Sequence, residues 1–304
     1  MRPVSNPARR ILAVLDFLTA NPGDAFGLTE LSRRLGLNKP TCHGILSTLA
    51  RAGYLSQDAA TRAYRLGPSI LAAGSAASVQ LPLLDRVREE MRSLGENLAV
   101  ASAVMLRARD HYVIVDRFAL PDPLVEIIHV GLRLPLMAPL GAFFIAWSSP
   151  AVFEAWFASA AEEISHGPAA VRVRFARSIA VVRSRGFDVT IKTAAEADLL
   201  DGLRRLHSGG EAPDLQALGR RFATALEDQT YQLDEIDPRA HYAVSAIAAP
   251  VFGTAPHPEL ALTLGTPHRD LSGREILDFG ASLVESARRV SEAGGGRFPP
   301  LPSA

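Results

Sequence analysis

The 304-residue chain is 48% hydrophobic and 21% charged, which excludes a disordered polar chain and leaves room for two separate cores. Its longest nearly apolar runs, Leu98 to Leu106 and Pro135 to Trp147, fall short of the roughly 20 residues of a membrane helix, and one cysteine cannot close an intrachain disulfide. The net charge of 0 hides an asymmetry: through Gly67 nine cationic residues face four anionic ones, a net of +5, and the remainder carries −5, so one end is suited to a polyanion.

The first residues, MRPVSNPARRILAVLDF, lack an uninterrupted apolar core with a cleavage site, so no export signal is expected and the predicted location is the cytoplasm. Asn6 and Pro7 supply a cap and an N1 proline for a helix carrying Ile11, Leu12, Val14, Leu15 and Leu18, which ends near Asn21-Pro22-Gly23. The stretch LTELSRRLGLNKPTCHGILSTL, Leu28 to Leu49, then reads as two short helices meeting at a tight corner. Thr29, with Ser32 in the next turn, is predicted to cap the first, whose apolar residues are Leu28, Leu31 and Leu35 and which Gly36 ends. Asn38 is placed to cap the second, with Pro40 in its first turn. Cys42, Ile45, Leu46 and Leu49 share a face there, leaving Lys39, Thr41, His43 and Ser47 to point elsewhere. This is what a helix-turn-helix requires; an ordinary helical hairpin is the other reading. Gly53 closes the second helix, and Tyr54–Gln57 and Arg62–Leu66 read as two strands around Asp58–Thr61, a wing whose Arg62 and Arg65 can reach phosphates.

LTELSRRLGLNKPTCHGILSTLARAGYL followed by YRLGPSILAAG closely resembles the IclR-type family of bacterial transcriptional regulators, and the resemblance continues more loosely through most of the chain. It implies an α+β protein with an N-terminal winged helix-turn-helix (1–67), a linker helix (68–80) and a C-terminal GAF-like α/β effector-binding domain (81–293), before a frayed tail (294–304). It also implies a homodimer or dimer of dimers on a palindromic operator of double-stranded DNA, nucleoid-associated when bound, a small-molecule effector and no cofactor. Repression is the expected sense, although the operator's position decides it.

Pro68 is placed to start the linker helix, whose small residues from Ala72 to Ala77 suit close packing against a second subunit or the first helix. A helix is predicted from Leu83 through Leu94, strands at Leu98–Leu106, His111–Phe118 and Val125–Val130, and a pocket-edge segment at Leu134–Gly141. Phe143, Phe144, Trp147, Phe153, Trp156 and Phe157 follow on two helical stretches, a pattern that marks core before ligand box. Val171–Arg185 is a basic amphipathic helix, expected to be a solvated face and not a second DNA site. Between Lys192 and His241, where the family usually passes quickly between strands, two helices are predicted, Ala194–Leu206 and Leu215–Leu226 around His207-Ser208-Gly209-Gly210, able to cover the pocket or to build an interface. Strands Tyr242–Val251 and Leu260–Leu264 and a final helix complete the domain.

The residues assigned to DNA are Thr29, Asn38, Lys39, Pro40, Thr41, His43, Gly44, Ser47, Arg62 and Arg65. His43 also reads as a partly buried neutral histidine. Gly44 stands where the family often has an arginine, so the base code is expected to differ. For the effector, the positions matching the polar residues that hold small carboxylates in the family are Met137, Ala246 and Thr263 to Gly265. Burying a carboxylate without donors is costly, so the effector is expected to be less anionic, more hydrophobic or larger, near Met137, Leu140, Phe144, Asp188, Ala246 and Thr263. A domain serving assembly alone is the competing reading. No GxSxG elbow, phosphate-binding glycine loop or metal-ligand Cys/His spacing supports an enzyme, for which Asp188 or His241 would be the groups to serve. An architectural DNA binder without sequence preference is the remaining alternative.

Overall fold

The computed structural model describes residues 6–118, 129–161, 167–207, 215–227, 229–266 and 269–301. The chain divides into two compact units, Met1–Pro82 with Gly202–Pro213, and Leu83–Asp201 with Asp214–Ala304.

The first unit holds helices α1 (Asn6–Ala20), α2 (Leu28–Arg34) and α3 (Lys39–Arg51), the hairpin β1 (Leu55–Gln57) and β2 (Tyr64–Leu66), and α4 (Pro68–Ser78). Its core gathers Val14, Phe17 and Leu18 of α1, Leu31 of α2, and Cys42, Leu46 and Leu49 of α3, with Phe26, Leu55 and Tyr64. The corner between α2 and α3 is drawn tight at Ser32, whose hydroxyl donates to the Leu37 carbonyl at 2.6 Å, and Gly36 takes φ +60° there. Asn38 caps α3 as predicted, its Oδ1 accepting from the Thr41 N–H at 2.9 Å. Thr29 does not cap α2: Gly27 occupies that position without a side-chain bond, so Thr29 falls inside the first turn and is exposed. Phe26 and Tyr64 exchange backbone hydrogen bonds and tie the segment leading into α2 to the wing.

The end of α3 and the start of α4 meet at one joint. The Gly67 N–H donates to Tyr54 O, the Ser69 N–H donates to Gly53 O, and the Ser69 hydroxyl donates to Ala52 O. A Cβ on Gly67 would lie 2.3 Å from Gly53 O, which is why only glycine fits. Helix α4 buries none of its residues, and Leu71 is 77% exposed, so α1 is not its partner within the chain.

The second unit is α+β and GAF-like. It contains α5 (Leu84–Leu98), β3 (Ser102–Arg107), β4 (His111–Phe118), β5 (Arg133–Pro135), α6 (Ala142–Ile145), α7 (Pro150–Ala161), α8 (Pro168–Arg185) and β6 (Asp188–Ile191). Helix α9 (Ala194–His207) begins in it, and α10 (Leu215–Ala225), β7 (His241–Tyr242), β8 (Val244–Val251), β9 (Leu260–Gly265), β10 (Leu271–Ser272) and α11 (Gly273–Ala293) follow. Six strands form one antiparallel sheet in the order β5-β4-β3-β9-β8-β6. Alternation sends buried Val104, Leu262, Ile247 and Val189 to the face covered by α5 and α11, leaving the opposite face for their neighbours. Gly280 of α11 lets the helix approach the Phe187 ring, which a Cβ would meet at 2.3 Å.

Several predicted boundaries shift for local reasons. Helix α5 runs to Leu98 and closes with Ala99 in the left-handed region at φ +51°, so the strand predicted from Leu98 begins at Ser102. The tail predicted to fray is seated as far as it is described: Phe298 is buried against Phe252 and Trp147, and Leu301 lies against Gly186. Of the predicted strand Val125–Val130, residues 125–128 lie outside the described residues, as do Ser208, Gly209 and Gly210.

Candidate nucleic-acid interface and effector cavity

The exposed side of the first unit is built on the opening turns of α3. Asn38, Lys39, Pro40, His43 and Gly44 are exposed, with Thr41 and Ser47 half-buried between them. Exposure of His43 removes its reading as a core histidine. Thr48, not singled out from sequence, is exposed one turn beyond Gly44 and donates its hydroxyl to the Gly44 carbonyl at 2.8 Å. An open groove of about 620 Å³ brings Thr29 and Arg33 of α2 and His43 of α3 together with Gln57, Thr61 and Arg62 of the wing. Of the predicted DNA residues, Thr29, His43 and Arg62 therefore share one groove, while Lys39, Thr41, Gly44 and Ser47 occupy α3 beside it.

The wing tip is held by its own hydrogen bonds. The Asp58 carboxylate accepts from the Thr61 N–H at 2.7 Å, the Thr61 hydroxyl at 2.8 Å and the Ala60 N–H at 3.0 Å, and these bonds, Thr61's first, hold its carboxyl below the ordinary value. Arg62 follows with φ +58°, a left-handed turn position that a non-glycine residue rarely takes, and so projects from a fixed backbone. Arg65 is exposed on β2, paired in register with Ser56, outside the groove lining.

The second unit encloses a cavity of about 630 Å³ on the sheet face away from α5 and α11. Leu140, Asp188, Ala246 and Thr263 line it as predicted. Met137 and Phe144 do not, because both are fully buried on other contacts. The Met137 sulfur lies where Gly219 of α10 leaves space, and the Phe144 ring packs at a tilt against Tyr112 and Phe143, Phe143 being the one that reaches the cavity. His241 is exposed on β7 and takes no part in the cavity.

Sequence reading missed four polar members of the cavity, Tyr112, Lys192, Glu196 and Tyr231. Three of these four come from the Lys192–His241 stretch, and Leu199 and Leu200 of α9 also line the space, so that stretch covers the pocket. Asp188 is 3% exposed, and the Gln232 amide nitrogen lies 3.3 Å from both its oxygens. Burial pushes its pKa up to about 6 against the pull of the Arg185 guanidinium. Burial likewise raises Glu196, whose carboxylate accepts the Ser245 hydroxyl. The Tyr112 and Tyr231 phenols are pushed up, first by burial and then by the Asp188 and Glu196 charges.

The basic helix α8 spends its arginines internally. Arg172 pairs with Glu154, Arg174 donates to Leu226 O and Glu227 O, Arg177 pairs with Glu235, Arg183 donates to Ala146 O, and Arg185 donates to Phe187 O and Leu233 O. Arg172, Arg177 and Arg183 nevertheless stay exposed, as expected of a solvated face, while Arg174 and Arg185 brace the domain. Among the described residues no group of three His, Cys, Asp or Glu is arranged to hold a metal, and no helix is long and apolar enough to cross a membrane.

Residues 7–59 match the IclR helix-turn-helix domain. The chain is similar to the HTH-type transcriptional regulator BhcR of Paracoccus denitrificans, 22% identical over 283 residues, which cover 93% of this chain and 85% of the relative. Its fold is that of an IclR transcriptional regulator from Alicyclobacillus acidocaldarius, with a TM-score of 0.61 at 20% identity over 96% of this chain and 100% of that one. It is also that of an IclR homolog from Microbacterium hydrocarbonoxydans complexed with 4-hydroxybenzoate, with a TM-score of 0.57 at 14% identity over 95% of this chain and 100% of the other. Residues 7–59 thus carry an IclR-type helix-turn-helix domain, within a chain that is similar over nearly its whole length to IclR-type transcriptional regulators.

Proposed function

We propose that the protein is a sequence-specific repressor that binds a palindromic operator as a dimer or dimer of dimers and releases it when a small molecule enters the cavity of the second unit. The observation that carries the DNA reading is the short polar side chains of α3 exposed beside a cationic wing, within a segment of net charge +5. Lys39, Arg62 and Arg65 neutralise phosphates, and Thr41, His43 and Ser47 approach base edges, with Gly44 leaving room for the helix to sit close. Asn38 contributes by fixing the first turn of α3. Helix α4, which buries nothing within its own chain, supplies surface for the second copy.

The effector reading rests on the cavity of the second unit and on the structural relative complexed with 4-hydroxybenzoate. A ligand controls operator binding only if it binds one arrangement of the paired reading heads better than the other. The setting is the cytoplasm, with the protein on the nucleoid when bound. Genome-wide selection of bound DNA supplies the operator. A mobility-shift titration then compares wild type with Lys39→Ala combined with Thr41→Ala. A loss of about tenfold or more is expected for a phosphate contact and a base-edge contact together. Unchanged affinity refutes the assignment, and equal competition by unrelated duplex points to an architectural binder.

A further inference from the structure

The cavity floor is chemically uneven along its length. One row of cross-strand neighbours runs Arg117, Ala103, Thr263, Ala248, Asp188 over β4, β3, β9, β8 and β6, and all five line the space. At about 4.8 Å per strand the row spans about 19 Å. Its three central residues are small, so it forms a trench suited to an elongated body.

Polar groups share the space with this row. The phenols of Tyr112 and Tyr231 line the cavity together with Asp188 and Glu196 and feel the charges of both. Of the two lining cations, Lys192 acts on Glu196 and Arg117 stands at the other end of the row, while Arg185 is turned to the carbonyls of Phe187 and Leu233 and lies outside the lining. Tyr112 is 4% exposed, and among the described residues its hydroxyl has no hydrogen-bond partner. A buried phenol ordinarily finds one, so the void beside it is where a ligand's polar group belongs. A carboxylate brought there would meet two like charges, whereas an ammonium would meet two acceptors of opposite charge and a phenol oxygen.

We propose that the effector is a primary amine on an apolar body, its ammonium seated among Asp188, Glu196 and Tyr112 and its body lying along Ala248, Thr263 and Ala103. The assignment rests on the cavity being the effector site, as proposed above. It gives these three polar residues the task of disfavouring small carboxylates, to which Ala246 and Thr263 themselves offer no charged donor.

The test is thermal unfolding of the full-length protein at neutral pH with two matched probe series at millimolar concentration. One is 2-phenylethylamine, 2-phenylethanol and phenylacetate; the other is octylamine, 1-octanol and octanoate. The amine of at least one series is expected to raise the melting temperature most. Glu196→Gln is expected to weaken that amine by about tenfold or more, and Tyr112→Phe, which keeps the ring packing, by about threefold. If Glu196→Gln fails to fold, Tyr112→Phe decides. Stabilisation led by the alcohols or carboxylates, no stabilisation by either series, or unchanged amine affinity in Tyr112→Phe with Glu196→Gln folded and equally unaffected, overturns the proposal. The operator assay separates the two readings. An amine that binds without changing operator retention removes the sensor reading and leaves the head-group assignment standing, and a carboxylate that both binds and releases operator does the reverse.

Discussion

Replacing Asp188 with Asn tests whether the cavity carboxylate is held at a cost to stability. Burial, opposed by the Arg185 guanidinium, carries its pKa from 3.8 to about 6, so the folded chain binds this proton more tightly than the unfolded chain. At about 1.4 kcal/mol per pH unit, a displacement of roughly two pH units sets about 3 kcal/mol against the ionised folded state. Below about pH 4 the carboxyl is protonated in both states and the cost is absent; stability falls as pH rises from about 4 to about 6, and above that the cost is complete. Asn keeps the shape and an oxygen that can accept from Gln232, whose amide nitrogen lies 3.3 Å from each carboxylate oxygen. Asp188→Asn is therefore expected to melt several degrees above wild type at neutral pH, and the gap should close as the pH falls toward about 4. Calorimetric melts of both proteins across that range measure it. A variant less stable than wild type at neutral pH, or a gap that does not change with pH, refutes the reasoning.

Leu46→Ala empties a fully buried position in the core of the first unit and is expected to cost about 2–5 kcal/mol, read as a lower denaturation midpoint together with loss of operator binding. Ser272→Ala removes the capping box in which the Ser272 hydroxyl accepts the Glu275 N–H and Glu275 accepts the Ser272 N–H; a loss of about 1 kcal/mol in urea unfolding is expected. Arg65→Ala should weaken operator and unrelated DNA alike and make the log–log salt slope shallower by about 0.9, as mobility shifts at several salt concentrations would show; an unchanged slope means that Arg65 neutralises no phosphate.

The first unit was the more legible because its instructions are local. Gly36 and Gly53 end helices, Asn38 caps the next one, and the apolar spacing of Leu31, Cys42, Leu46 and Leu49 names the buried face. Thr29 was misplaced because a capping-type residue at the second helical position looks in sequence like one at the cap. The cavity was half legible. Period-two alternation puts Asp188, Ala246 and Thr263 on strands, but which face is covered depends on α5 and α11, elements far away in the chain. Met137 was assigned by position in a resembling segment and Phe144 from the helical stretch after it, whereas the space left by Gly219 and the contact with the Tyr112 ring decided where those side chains went. Glu196 and Tyr231 come from the stretch with the loosest resemblance and carry no local signal for a pocket.

The joint at Gly67 and Ser69 makes α4 a handle fixed to the reading head. Its 11 residues are about 16 Å long. By lever arithmetic, displacing the far end near Ser78 by about 3 Å turns the body containing α3 by about 10°. Because the bonds to Ala52, Gly53 and Tyr54 leave little slack, a force applied near Ser78 would reach α3 as rotation and would not be spent in bending a loop. Two such handles held together would convert ångström-scale movements into a change of angle between the reading heads, and a rigid palindrome in DNA is sensitive to that quantity.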